Sequence, residues 1–294
     1  MNEYFIRNKY IVLHLMVLIL GFTAILGELI SISSIDLVFY RMLFSFVSLL
    51  IFVYYRKEIF ELSITKIFKL SLVGVVVALH WIFFFEAVKI SVPIAVISLS
   101  TSSLFSSFME PIMLKKKIDK YEVILGIVII LSFFMMYYNS ETAVSEAYIY
   151  GIISAFLATL FTILNAKYIG DTKSYQITMY EMLGGTIFIS IYFLFTSNTD
   201  VFYFNINMSD LIYLLILSVI CTSIVFALMT EIMKYITPYT LIMAVNLEPV
   251  YAIILSFIFL PNEEEMNLYC YLGSFIIISS IYFEHYFKRN KHNR

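Results

Sequence analysis

The segment Glu86-Ala-Val-Lys89-Ile-Ser-Val-Pro93 recurs as Glu231-Ile-Met-Lys234-Tyr-Ile-Thr-Pro238, so the pattern Glu-x-x-Lys-x-x-x-Pro repeats after 145 residues. Because this spacing is about half of the 294 residues, the chain consists of two related halves. We therefore predict two domains of similar fold, over residues 1–146 and 147–294. Further matches in the same order are Tyr40-Arg41-Met42-Leu43 with Tyr180-Glu181-Met182-Leu183, and Gly126 with Gly273.

The composition is typical of an integral membrane protein. Of the 294 residues, 61% are hydrophobic and 14% are charged, and the mean hydropathy is +0.91. A soluble domain carries roughly 25% charged residues, and a soluble fold of this size could not bury so much apolar surface. The cysteines Cys221 and Cys270 are isolated, so they form neither a metal-binding spacing nor a disulfide framework.

Ten apolar runs are long enough to cross a membrane, because a spanning helix needs about 20 mostly apolar residues. Their continuous hydrophobicity, without a period of two, favours helices over a β-barrel. The first run is too long for a signal peptide, and no small-residue cleavage site follows it. The predicted spans are 10–30, 36–54, 68–88, 92–114, 121–138, 148–169, 174–196, 209–235, 239–260 and 268–287.

The basic residues predict the orientation, because Lys and Arg concentrate in cytoplasmic loops. With the N-terminus in the cytoplasm, 17 of the 19 basic residues lie on that side, and the exceptions are Arg41 and Lys89. The opposite loops are neutral or acidic, as in the run Glu263-Glu264-Glu265. We expect a multi-pass protein of the bacterial inner membrane with both termini in the cytoplasm.

The fold class follows from the span count. Each half contains five spans, and an odd number forces the second half to insert in the opposite orientation. Inverted repeats of this kind are a recurring transporter architecture. The prediction is an all-α membrane protein with ten transmembrane helices in two inverted five-helix repeats.

The five prolines all lie in spans four and nine or at their ends. Pro93 and Pro238 suit the first turn of a helix. Pro249 lies in mid-span, so the carbonyl of Val245 loses its partner and the helix should kink. Broken helices at matching positions of two halves indicate a substrate site, and a packing kink without a ligand is the alternative. The prolines are Pro93, Pro111, Pro238, Pro249 and Pro261.

Together these features resemble the drug/metabolite transporter superfamily, and within it the EamA-type ten-span exporters. The resemblance covers the chain from about Tyr10 to Tyr286. It implies a cavity between the halves, peripheral fifth and tenth spans, and the transport of amino acids, nucleotide sugars or other metabolites, often outward. One departure is Pro261-Asn-Glu-Glu-Glu265, where relatives have Leu-Gly-Glu. The motifs that carry the resemblance are Gly21-Phe-Thr-Ala-Ile-Leu-Gly27, Tyr40-Arg41, His80-Trp81, Glu86-Ala87 and Asn246-Leu-Glu248-Pro249-Val250.

Glu248 is the first candidate for the site, because an ionisable residue inside the membrane is expensive and usually functional. It lies near the centre of span nine, with the small residues Ala244 and Ala252 one turn to either side. Its carboxylate could take up a proton or pair with a substrate amine. The alternative is a structural carboxylate bonded to backbone groups at the kink.

Hydroxyl side chains occupy the matching level of span four. Seven of the ten residues from Ser98 to Ser107 are Ser or Thr, and aligning Gly126 with Gly273 places Thr101 and Ser102 level with Glu248. These hydroxyls could bind polar substrate groups, or they could let helices pack closely.

Other charged and aromatic residues within spans complete the candidate set. Arg41 and Glu181 occupy matching places near opposite membrane faces, where either could bind substrate charge, form a gate or make a static ion pair. His80 and Trp81 could line a cavity or pack against a neighbouring helix. The candidate substrate or coupling residues are Glu248, Asn246, Pro249, Thr101, Ser102, Ser98, Arg41, Glu181, His80 and Trp81.

The remaining in-span carboxylates are expected to be structural. Glu86 and Glu231 each lie three residues before a lysine, so each should form an ion pair on one helix face, with Lys89 and Lys234 respectively. Glu110 lies near the cytoplasmic end of span four and close to Lys115, which favours an interfacial role.

The predicted function is secondary active transport, with export of small polar metabolites such as amino acids across the plasma membrane by alternating access. The chain has no phosphate-binding loop and no hydrolase or zinc-protease motif, so we predict no catalytic residues, no metal, no cofactor and no enzyme activity. A non-transporting sensor or scaffold and an intramembrane enzyme are the alternatives. The expected partners are a small-molecule substrate, membrane lipid and a coupling proton, without nucleic acid, in a monomer or homodimer.

Overall fold

The computed structural model describes residues 9–57, 62–138, 145–170, 172–196, 206–259 and, within 268–283, all but 270, 277, 278 and 281. Over these residues the chain is helical and contains no strand. Much of predicted span ten and the loop from Pro261 to Asn267 lie outside the described residues. Further helical residues follow from Leu268 onward. The main helices are α1 (Lys9–Leu29), α2 (Ser34–Tyr55), α3 (Ile64–Ile90), α4 (Val92–Leu114), α5 (Lys120–Tyr138), α6 (Ser145–Tyr168), α7 (Ser174–Thr196), α8 (Met208–Ile232), α9a (Pro238–Val245) and α9b (Glu248–Phe259).

Seven of the described helices, α1 to α4 and α6 to α8, are long and apolar enough to cross a membrane. Their outward faces carry large apolar side chains such as Ile64, Phe195 and Leu194, which are exposed and suited to lipid. The multi-pass, all-helical class predicted from the sequence therefore agrees with the structure.

Polar residues cap the N-terminal ends of several helices. Ser33 accepts a hydrogen bond from the backbone N–H of Asp36, Ser63 from Lys66 and Asn207 from Asp210. Each cap satisfies one of the N–H groups that the first helical turn leaves without a partner. The short polar joints between apolar runs thus set where α2, α3 and α8 start.

Two helices are interrupted at matching positions. In α4, a 3₁₀ turn over Leu99–Thr101 separates Val92–Ser98 from Ser102–Leu114. Helix nine stops at Val245 and restarts at Glu248, with Pro249 in the first turn of α9b. The break that Pro249 predicts is therefore present, as two helices separated by a turn. The alignment of Gly126 with Gly273 that the sequence suggests carries Leu99 onto Asn246.

Helices α2 and α7 pack side by side and run in opposite directions. In α2 and α7, Phe39 stacks edge-on with Phe193 at 5.6 Å and Phe52 with Tyr175 at 5.4 Å, so the start of one helix lies beside the end of the other. The end of α4 likewise meets the start of α9a, where the Glu110 carboxylate accepts a hydrogen bond from the backbone N–H of Tyr239 at 2.7 Å.

The relative direction of α1 and α6 follows from their contacts with a common neighbour, α3. Lys89, in the last turn of α3, donates to the carbonyl of Ile30 just after α1, so α1 and α3 are parallel. His80 contacts Ser154 and Phe83 contacts Tyr150, so α6 runs against α3. Helix α6 is therefore antiparallel to α1.

The predicted ion pair between Glu86 and Lys89 is wrong. Lys89 donates instead to the backbone carbonyls of Glu28 and Ile30. The last carbonyls of a helix have no partner within it and attract a cation, and α1 ends close to this lysine. The equivalent pair in the second half, Glu231 and Lys234, forms as predicted at 2.8 Å.

Glu110 has more partners than the sequence predicted. Its carboxylate pairs with Lys116 at 2.8 Å rather than with Lys115. Its second oxygen accepts the bond from Tyr239. Glu110 thus joins the end of α4 to the start of α9a.

Candidate substrate site

A cavity of about 70 Å³ lies between the two halves, beside the breaks in α4 and helix nine. Helices α1, α2, α3, α4, α6, α8, α9a and α9b all contribute to its wall, whereas α5 contributes no residue. The lining residues are Leu20, Thr23, Arg41, His80, Trp81, Phe84, Leu99, Ser102, Ala158, Phe161, Thr162, Phe226, Met229, Leu241, Ile242, Val245 and Glu248.

Arg41 projects from α2 into this cavity and is fully buried. Its guanidinium carbon lies 3.8 Å from the centre of the Trp81 ring, and this cation–π contact stabilises a charge removed from water. Its Nε donates to the Thr222 hydroxyl at 2.7 Å. The two terminal nitrogens, Nη1 and Nη2, are buried and have no hydrogen-bond partner.

Thr222 lies in a π-helical segment of α8, Val219–Ile224. Its hydroxyl donates to the carbonyl of Leu217, five residues earlier, at 2.8 Å, and accepts from Arg41. Single-turn π segments occur often at functional sites. The hydroxyl of Thr222 in this wider turn therefore holds the Nε edge of Arg41.

Glu248 begins α9b and lines the same cavity, with 5% of its surface exposed. An acidic side chain is favoured at this place by the helix dipole. Among the described residues no ion pair joins Glu248 to Arg41. An arginine and a glutamate side chain therefore contribute to one small cavity without forming an ion pair.

His80 and Trp81 form part of the wall on α3. The Nδ1 atom of His80 lies 2.8 Å from the Ser154 hydroxyl, which fixes the ring against α6. The rings of His80 and Phe161 are 5.4 Å apart, and Trp81 meets Phe226 edge-on at 5.0 Å. The wall is thus mostly aromatic, with few polar groups.

The hydroxyl cluster of α4 has two different roles. Ser102 lines the cavity, and its hydroxyl donates to Asn246 Oδ1 at 3.4 Å, linking the two broken helices. The hydroxyls of Ser98 and Thr101 donate to carbonyls of their own helix, at Ile94 and Ser98, and do not line the cavity. These two residues satisfy the backbone around the 3₁₀ turn.

The structure thus brings together Glu248, Ser102, Arg41, His80 and Trp81. Asn246 and Pro249 lie at the break and shape it without lining the cavity. Glu181 also lies outside the cavity, although it is fully buried. Sequence reasoning missed Thr222, and the polar run Cys221-Thr222-Ser223 within apolar span eight was the available signal.

No three His, Cys, Asp or Glu side chains come together as possible metal ligands in the part of the chain that the structure describes.

Comparison with known proteins identifies the family. The family model described as the EamA-like transporter family matches this chain twice, over residues 8–138 and 145–284. No curated protein matches the sequence. One crystal structure of a protein, 9% identical in sequence, superposes with a TM-score of 0.66 over 92% of this chain and 95% of that chain, which shows a shared fold. With both halves matched, the chain belongs to the EamA-like transporter family and is a multi-pass integral membrane protein.

Proposed function

We propose that the protein is a secondary active transporter that exports small zwitterionic metabolites, such as amino acids, across the plasma membrane by alternating access. The observation that carries this proposal is that both terminal guanidinium nitrogens of Arg41 lack a partner, while Arg41 and Glu248 line the same cavity. Buried donors of this kind normally have a partner, and a substrate can supply it.

The charges of the cavity fit the two ends of a zwitterion. A guanidinium binds a carboxylate through two parallel hydrogen bonds, because its planar fork matches the two oxygens. The Glu248 carboxylate can accept the substrate amine, and the Ser102 hydroxyl can add a hydrogen bond. The aromatic wall then favours a small or apolar side chain.

Alternating access rests on the proposed inverted repeat, with ten spans, domains 1–146 and 147–294, and both termini in the cytoplasm. Support for it comes from α2 and α7, which pack antiparallel, and from the breaks in α4 and helix nine, which lie beside one cavity. Rocking of one half against the other would expose such a site to each side in turn.

Contacts at opposite ends of the bundle hold the cavity between them. At one end, Glu110 of α4 binds Tyr239 of α9a. At the other end, Asp210 of α8 accepts from the Ser31 backbone N–H at 3.0 Å and from its hydroxyl at 2.6 Å. We propose that these two contacts open alternately during the transport cycle, the first on the cytoplasmic side.

The proposal also covers the membrane in which the protein lies and the partners that it binds. We place the protein in the bacterial inner membrane, where lipid covers the exposed apolar side chains, as a monomer or homodimer. The substrate is its small-molecule partner, a proton is the coupling ion, and no cofactor or catalytic step is involved.

The experiment compares reconstituted wild type with Glu248→Gln. Glutamine keeps the size and hydrogen bonding of the side chain but removes its charge, so uptake of labelled amino acids into liposomes should fall at least tenfold. Thermal stability should be unchanged. Glu231→Gln is the matched control, because Glu231 pairs with Lys234 outside the cavity, and its uptake should equal that of the wild type.

Two results would overturn the proposal. Wild-type uptake no greater than that of empty liposomes, across a panel of zwitterionic metabolites, would exclude transport of this class. Saturable binding without uptake would favour the sensor or scaffold.

A further inference from the structure

Glu181 on α7 is a second buried carboxylate, separate from the cavity. It is fully buried, and neither of its carboxylate oxygens has a hydrogen-bond partner. The side chain of Asn165 on α6 lies next to it, and the Oδ1 atom of Asn165 is also buried without a donor. Three acceptor oxygens thus cluster inside the membrane with too few donors.

No cation compensates this carboxylate. Among the described residues, no ion pair reaches Glu181 from α2, α3, α6 or α8, the helices around it. Arg41 is bound to Thr222 and His80 to Ser154. An ionised, unpaired carboxylate at this depth would be strongly unfavourable. The buried titratable side chains of these helices and of α7 are Tyr40, Arg41, His80, Tyr148, Tyr180, Asp210 and Cys221.

A proton completes the cluster. A protonated carboxyl group carries one O–H donor, and the Oδ1 atom of Asn165 is a buried acceptor that lacks one. The same proton removes the net charge. The site therefore has the chemistry of a proton-binding site that is occupied while it is closed to water.

The backbone around Glu181 lies at a helix crossing. A Cβ atom on Gly74 of α3 would lie 1.9 Å from the Glu181 carbonyl oxygen, so the two helices touch at this point. Arg41 lies on α2, which also packs against α7. A shift of α7 against α3 would therefore admit water to Glu181 and move the substrate-binding helices together.

We propose that Glu181 binds the coupling proton, with Asn165 as a positioning residue, at a site distinct from the substrate site of Arg41 and Glu248. The inference rests on the proposed transport function. In the closed bundle the carboxyl group is protonated. When α7 shifts and water enters, the proton leaves to one aqueous side, and a proton from the other side restores the carboxyl group before the site closes again.

The test measures two activities of the same reconstituted protein. An imposed pH gradient should drive labelled amino acid to accumulate in wild-type liposomes, and exchange of labelled for unlabelled substrate should occur at equal pH. Glu181→Gln should lose gradient-driven accumulation, to the level without a gradient, while exchange stays within about twofold of wild type. Glu248→Gln should lose both activities, because it removes a substrate contact.

Asn165→Ala is the second variant, and it leaves the carboxyl group in place. It should weaken accumulation severalfold without reducing exchange, since it removes the amide group that includes the acceptor of the proposed O–H bond. A pH-sensitive dye inside wild-type liposomes should report proton movement when substrate is added, and this measurement does not depend on any variant folding.

The outcomes separate the two proposals. Absence of all wild-type transport overturns the proposed function. Wild-type exchange without proton movement overturns the proton site alone, and so does full gradient-driven accumulation by Glu181→Gln. Loss of accumulation with preserved exchange in Glu181→Gln supports it, as does the weaker defect of Asn165→Ala.

Discussion

Arg41 shows how a single charge is made tolerable inside an apolar bundle. Its burial would be strongly unfavourable alone, but Trp81 faces its guanidinium and Thr222 accepts from its Nε. These contacts occupy one edge and one face of the group and leave Nη1 and Nη2 without a hydrogen-bond partner. The side chain is therefore held in place and still able to bind an acceptor.

Replacement of Arg41 by lysine tests this geometry. Lysine keeps the charge but cannot form two parallel bonds to a carboxylate or the Nε bond to Thr222. Loss of a charged hydrogen bond amounts to about 1.5–3 kcal/mol, so Arg41→Lys should raise the KM for uptake roughly 10- to 100-fold. Arg56→Lys, at the exposed end of α2, should leave KM unchanged. An unchanged KM in Arg41→Lys would show that the fork does not bind substrate.

For single residues, the sequence predicted which buried charged side chains are candidates for the site, but it did not predict which groups they contact. Depth in an apolar run was enough to select Arg41, Glu181 and Glu248, because burial of charge is rare. Spacing alone wrongly paired Glu86 with Lys89, because the competing carbonyls belong to α1, which is distant in sequence. The sequence ranked Glu248 above Glu181 because Glu248 lies in mid-span, but it could not show that Glu248 lines the cavity and Glu181 does not.

At the scale of the helices, α3 and α7 cross so closely that only glycine fits at two of the contact positions. A Cβ atom on Gly74 would lie 1.9 Å from the Glu181 carbonyl oxygen, and one on Gly184 would lie 2.2 Å from that of Ser71. Small residues at both positions allow the two backbones to meet, as is common in membrane bundles. The crossing thereby sets the position of α7 and of Glu181.

Gly74→Ala should therefore destabilise the protein, because the added methyl group meets backbone that cannot move aside. Overpacking of this kind typically costs about 1–3 kcal/mol, which should appear as a lower thermal unfolding temperature in detergent. Gly21→Ala is the milder control, because its Cβ would lie 3.0 Å from the side-chain Cβ of Tyr251. Equal unfolding temperatures for wild type and Gly74→Ala would contradict the close crossing.

The interruptions of the helices were only partly predictable. Pro249 predicted the break in helix nine, because proline removes a donor from the helical ladder. The 3₁₀ turn over Leu99–Thr101 and the π segment over Val219–Ile224 contain no proline. Their signals are hydroxyl side chains that bond to nearby carbonyls, such as Thr101 to Ser98 and Thr222 to Leu217, and such bonds also occur in regular helices.

For the whole molecule, the repeat was the most informative feature of the sequence. Short matches at nearly constant spacing predicted two related halves, and the family model matches once in each half. The convergence of Arg41 with Glu248, residues from different halves, depends on how the halves pack. That packing involves contacts between residues distant in sequence, which periodicity does not encode.

Topology reporters test the proposed inversion of the halves. The distribution of Lys and Arg and the even number of proposed spans place both termini in the cytoplasm. A reporter fused at Arg294 should therefore be active on the cytoplasmic side, and one inserted at Glu264 on the opposite side; both positions lie outside the described residues. Reporters at both positions on the same side would contradict ten spans with inverted halves.

The most direct test of the central claim is competition between substrate analogues for uptake into liposomes containing the wild-type protein. An amino acid should inhibit uptake of a labelled amino acid competitively, because it engages both Arg41 and Glu248. An analogue that lacks the amine and one that lacks the carboxylate should each inhibit at least about tenfold more weakly, since each loses one charged contact. Equal inhibition by all three compounds would contradict a cavity that binds both ends of a zwitterion.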